Sequence, residues 1–114
     1  MKYALLAYTS GGSSDGDGSR EMPAALTAVL ERPEVSGYIR LERPDSATTV
    51  TGAPRRTLLT DGPFVDSKEF LGGLILVEAD DLDGALAIAT ELQELSITAG
   101  IEVRPMFGQE LGGA

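Results

Sequence analysis

The first apolar run, KYALLAY at residues 2–8, hardly alternates, and the polar, glycine-rich TSGGSSDGDGS closes it. The pattern predicts a strand, then a loose loop over residues 9–20. Met22, Leu26, Val29 and Leu30 recur at i, i+4, i+7 and i+8, the stripe of an amphipathic helix over residues 22–32. Pro23 suits its first turn and Pro33 halts it. GYIRLER at 37–43 alternates as a strand does, with Tyr38, Arg40 and Glu42 on one face and Ile39, Leu41 and Arg43 on the other. TTV at 48–50 and RRTLL at 55–59 flank the turn residues Gly52-Ala53-Pro54 and predict a small hairpin. LILVEA at 74–79 reads as a nearly all-apolar strand. DDLDGALAIATELQEL follows as a helix, capped by Asp80 or Asp81, with Leu82, Ala85, Leu86, Ala89 and Leu92 as its inward stripe. IEVRPMF at 101–107 is the last strand, and GQELGGA a loose tail.

The order β, α, β, hairpin, β, α, β predicts an α+β fold. It is the ferredoxin-like split βαβ arrangement with an extra hairpin, an antiparallel sheet with two helices on one face. Two short helices cover one side of such a sheet. Because KYALLAY and LGGLILV carry apolar residues on both sides, the other face is expected to pack against a second copy as a homodimer. At 114 residues, a single domain spanning 1–114 is the simplest organisation.

Charge narrows the partners. Nine Lys and Arg stand against eighteen Asp and Glu, a net charge of −9, which disfavours nucleic acid and anionic membrane surfaces. The chain has neither cysteine nor histidine. Disulfides, thiolate nucleophiles and Cys-ligated zinc are thereby excluded, and the commonest general base and transition-metal ligand is missing. No calcium-loop spacing occurs, so neither a metal nor a cofactor is expected. The glycines between residues 11 and 18 follow neither the G-x-G-x-x-G nor the G-K-[ST] pattern of a phosphate cradle. No run approaches the roughly 20 apolar residues of a membrane span, and a cytoplasmic protein is the expectation.

Candidate chemistry concentrates in TDGPFVDSKEFLGG, residues 60–73. Asp61, Gly62 and Pro63 are turn residues: an acceptor for nearby backbone N–H groups, a tolerance for positive φ, and a locked φ. Phe64 supplies an apolar anchor, Glu69 ends the charged stretch, and Gly72-Gly73 permits a bulge or close backbone approach. As architecture, the segment is an ordered loop crossing the dimer interface, with Lys68 paired to a carboxylate and Phe64 in a pocket. As a site, Asp61 and Asp66 are polar contacts or a base, Phe64 is an apolar wall, Lys68 holds an anionic group and Arg104 clamps a carboxylate. Glu102 and Arg104 share a face of the last strand, where a cross-strand ion pair is the simpler role.

DGPF at 61–64, Lys68-Glu69, Leu71-Gly72-Gly73, DDLDGAL at 80–86 and EVRP at 102–105 occur in that order, and with them the chain resembles the YCII-related, or DGPF-domain, family. That resemblance implies a fold of the dimeric α/β-barrel kind and a bacterial protein, since family members often lie near, or are fused to, alternative sigma factors. Some relatives carry a His–Asp pair suggested as catalytic, which has no histidine counterpart here. The expected function is a non-catalytic module for small-molecule binding or regulatory interaction. The alternative is a histidine-free, metal-free enzyme acting on a small anionic metabolite through Asp61 or Asp66, Lys68 and Arg104.

Overall fold

Strand β1 (Lys2–Ser10) separates the two sides that its unbroken apolar run conceals. Tyr3, Leu5 and Ala7 are buried, and Lys2, Ala4, Leu6 and Tyr8 between them are half-covered. The computed structural model describes residues 1–10, 22–96 and 98–107, so the expected loop beyond Ser10 and the tail from Gly108 lie outside the described residues. After β1 come α1 (Ala24–Leu30), β2 (Val35–Arg40), a short 3-10 turn at Pro44–Ser46, β3 (Thr48–Ala53), β4 (Arg56–Asp61), β5 (Glu69–Glu78), α2 (Leu82–Leu95) and β6 (Gly100–Pro105).

The main sheet has the order β2-β5-β1-β6, and every neighbouring pair is antiparallel. Each βαβ unit is therefore split by one strand of the other unit, which is the ferredoxin-like arrangement expected from the element order. Both helices lie on one face. Val29 and Leu30 of α1 and Ala85, Ile88, Ala89 and Leu92 of α2 bury against Tyr3, Leu5, Ala7, Ile75 and Val77. Covering one such large side chain stabilises the fold by about 1.5–3 kcal/mol.

Several boundaries move. α1 begins after Pro23, whose ψ of 147° is extended, and it ends at Leu30, so the helix is shorter than the predicted 22–32. In α2 the inward stripe runs through Ile88, while Leu82 and Leu86 are exposed on its flank. At 100° per residue those two leucines lie beside the line through Ala85, Ile88, Ala89 and Leu92. Asp81 caps this helix, its Oδ1 accepting from the Gly84 N–H at 3.0 Å. Beyond the core, Arg32 donates to both carboxylate oxygens of Glu91, at 3.0 and 2.6 Å, joining the end of α1 to α2. The guanidinium holds the Glu91 carboxyl below the usual carboxylate range.

β5 starts earlier than its apolar run, at Glu69, and carries the double glycine inside it. Ala7 opposes Gly73 but Tyr8 opposes Leu71, so Gly72 is the extra residue of a β-bulge. A Cβ on Gly73 would sit 3.0 Å from the Ile39 carbonyl oxygen, a tight contact where β2 and β5 come together.

Among the described residues, the second face of the sheet carries no helix. Ala4 and Leu6 of β1 continue into Leu74 and Leu76 of β5 and Ile39 of β2, with Glu102 and Arg104 of β6 along one edge. β3 and β4 form a separate two-stranded sheet that packs extensively on none of the other elements. The radius of gyration, 15.8 Å, exceeds the roughly 13 Å of a compact chain this long, as a projecting hairpin requires. Among the described residues no helix is long and apolar enough to cross a membrane.

Leu5 is wholly inaccessible at the centre of the helix-covered face. Leu5→Ala should destabilise the protein by about 2–5 kcal/mol, read as a lower urea midpoint with an unchanged slope.

Candidate functional site

Where the main sheet meets the hairpin, a groove of about 630 Å³ opens between two segments. One wall is the connection from β2 to β3, Leu41 to Ala47; the other is the connection from β4 to β5, with Pro63, Val65 and Ser67 reaching Glu69, Phe70 and Leu71. Tyr8, last of the outward row on β1, closes the end nearest the open sheet face. Most of the lining is apolar, with Glu42, Arg43, Ser46, Ser67 and Glu69 as its polar members. A mostly apolar concavity with a few polar groups is the usual form of a small-molecule site.

Backbone hydrogen bonds hold both walls. The Leu41 N–H donates to the Gly72 carbonyl at 2.9 Å, fixing the first wall to β5. The Gly62 N–H donates to the Ala47 carbonyl at 2.7 Å, and the Gly62 carbonyl accepts from the Thr49 hydroxyl at 2.7 Å. Gly62 thus ties the second wall to the first at two atoms, from a φ of +101° that side-chain-bearing residues rarely adopt. Ser46 donates to the Arg43 carbonyl at 2.7 Å and Ser67 to the Glu69 carbonyl at 2.6 Å, so both hydroxyl protons are spent on local turns. The Arg43 guanidinium lies 3.7 Å from Asp45, a loose and largely exposed pair.

The residues singled out from the sequence fall into separate places. Asp61 ends β4 opposite Thr48 and is exposed. Of the segment that follows, Pro63, Val65, Ser67 and Glu69 line the groove, whereas Phe64, Asp66 and Lys68 do not. Phe64 is 76% exposed, an apolar ring presented to solvent. No ion pair among the described residues includes Asp66 or Lys68. Arg104 is not near this loop within one chain. It opposes Ala4, while Glu69 opposes Ser10, six residues further along β1 and so about 20 Å away. Its guanidinium instead bonds Glu102 on the same strand at 2.8 Å, and that hydrogen bond raises its pKa, with smaller help from charge attraction to Glu102 and to Tyr8. The pair is within one strand rather than across two.

Arg43 and Tyr8 were not counted as site residues in the sequence. In the sequence Arg43 ends an alternating strand and Tyr8 ends an apolar run; they meet because β1 and the segment after β2 both neighbour β5. Apart from Tyr3, whose ring packs in the core, no residue with an ionisable or polar side chain is buried among the described residues. Nor do three or more Asp or Glu side chains converge there as a metal centre requires.

Fold and groove define an α+β protein of ferredoxin-like topology with one bare apolar sheet face and an open, lightly polar cleft at its end. The model of the YCII-related domain matches residues 1–107, and the chain belongs to the YCII-related family. It is also similar to an uncharacterised protein of Rhizobium meliloti strain 1021, 32% identical over 114 aligned positions that cover 93% of this chain and 92% of the relative.

Gly62→Ala keeps open space around the new methyl but forces a positive φ on a side-chain-bearing residue. The substitution should cost about 1–3 kcal/mol and loosen the 62–68 wall, read as a lower melting temperature and faster proteolytic nicking there.

Proposed function

We propose that this protein is a homodimeric, non-catalytic binding module. Its ligand is a small molecule with an apolar body and one anionic group, held in the groove beside Tyr8 with Arg43 on the anion. The observation that carries this reading is the continuity of the groove with the bare face: Tyr8 belongs to both the outward row of β1 and the lining. Arg43 is the one cation in that lining. An arginine beside apolar walls suits a carboxylate or phosphate better than a neutral polar group, because the guanidinium donates in a fixed fork.

The dimer reading rests on the bare face. Ala4, Leu6, Leu74, Leu76 and Ile39 form an apolar centre, and Glu102 with Arg104 supplies a charged rim, which is how interfaces between proteins are composed. Exposed Phe64 fits the same reading as an anchor planted in the second subunit, with Asp61, Asp66 and Lys68 at the rim of the contact. The enzyme reading stands second. A carboxylate base at neutral pH needs burial to raise its pKa, and Asp61 and Asp66 are both exposed.

Light scattering at micromolar concentration should return twice the 11.9 kDa chain mass. A thermal-shift screen over amphipathic carboxylates and phosphates should find compounds that raise the melting temperature, since 100-fold saturation stabilises by about 2.7 kcal/mol. Arg43→Ala should weaken a hit about tenfold or more. A hit bound equally well by that variant would remove Arg43 from the site.

A further inference from the structure

The β3–β4 hairpin presents exposed apolar side chains on both faces and a basic tip, and among the described residues no other element packs extensively over them. Val50 and Leu59 are cross-strand partners on one face, 61% and 68% exposed, and Leu58 is exposed on the other. A ribbon of two strands alone is marginal in water, and this one has no third strand or helix beneath it. None of residues 48–61 lines the groove of the same chain. At the tip, Arg55 and Arg56 place two of the chain's nine cations side by side.

The groove has the complementary character. Its floor and walls are apolar around Tyr8 and Phe70, its acids are Glu42 and Glu69, and one side is open. Two chains of net charge −9 repel, so a contact between them needs local charges of opposite sign. Arginines at the arm's tip and the exposed Glu69 at the groove meet that need in a second copy of the same chain, with Arg43 of the same lining left to the ligand's anion. Through Tyr8 the groove is also continuous with the bare sheet face proposed above as the dimer contact.

We infer that in the dimer the β3–β4 hairpin of each copy crosses to the other and lays Val50 and Leu59 against the other copy's groove, so that each ligand site is completed by two chains. This rests on the dimer reading of the bare face. The contact is isologous, both arms crossing at once, and a ligand in the groove is enclosed only in the assembled pair.

The absence of cysteine makes the test clean. Full-length Leu59→Cys and Leu41→Cys chains, both altered at exposed positions, are mixed, allowed to exchange and treated with a short bis-maleimide. The expected product is a covalent heterodimer joining one chain of each kind, depleted at high salt and absent when either chain is omitted. A dimer by light scattering that yields no mixed product, or only Leu59→Cys chains joined to each other, overturns the crossing arm and leaves the dimer standing. A monomer by light scattering overturns both. As an independent arm, Leu59→Asp in the otherwise unaltered chain should weaken dimerisation at least tenfold with an unchanged far-ultraviolet circular dichroism spectrum. Unaltered dimerisation by that variant counts against the crossing arm.

Discussion

A four-stranded sheet whose two central strands are apolar on both faces, with helices over only one among the described residues, is the constraint on which the rest of this structure depends. Tyr3, Leu5, Ala7, Ile75 and Val77 find their partners in α1 and α2. Among the described residues no helix covers the row Ala4, Leu6, Leu74 and Leu76. These side chains are only half-covered, and apolar surface left in water is unfavourable in proportion to its area. The burial of one face sets the register of β1 against β5 and β6, because a slip of one residue would exchange the two rows.

The same constraint explains why the groove lies where it does. The bulge at Gly72 and the absence of a side chain at Gly73 let β2, β5 and β1 pair closely while the chain ends around them turn away. The segments leaving that end, Leu41 to Ala47 and Gly62 to Lys68, are then pinned to each other through Gly62, Ala47 and Thr49. Their walls are held by backbone and hydroxyl hydrogen bonds, whereas their charged side chains stay in solvent. That combination favours recognition over acid–base chemistry, which depends on groups withdrawn from water. The hairpin beyond those walls shows the same feature: Val50, Leu58 and Leu59 are exposed, with no element among the described residues packed extensively over them.

Much of this was legible in the sequence. The alternation of periods along the chain placed both helices, and the surplus of apolar strand residues foretold a face without helices. The Asp61-Gly62-Pro63 turn, the Asp81 cap and the bulge at the double glycine follow from residue chemistry that acts over a few positions. The candidate site was less legible. Asp66 and Lys68 drew notice as charges amid a patterned stretch, yet it is Pro63, Val65, Ser67 and Glu69 that line the groove. The lining positions 63, 65, 67 and 69 alternate as in an extended chain, and the sequence does not say which of the two alternating sets faces the groove. Arg104 and Lys68 are both cations in sequence order after a turn motif, but the register of β1 separates them by most of the strand's length.

What the sequence determined by itself is local or periodic: which stretches are strands and helices, where turns occur, which chemistries are excluded by the lack of histidine and cysteine, and that the apolar surface exceeds what the helices can bury. Tertiary structure alone decided which residues meet. Tyr8 and Arg43 face one cleft because β1 and the segment after β2 both neighbour β5, a proximity set by strand order and not by sequence distance. Leu82 and Leu86 stay exposed because the rotation of α2 on the sheet is set by Ala85, Ile88, Ala89 and Leu92 fitting against β1 and β5. Hydrophobic periodicity fixes how much surface must be hidden; packing geometry fixes which atoms hide it and which remain to bind something else.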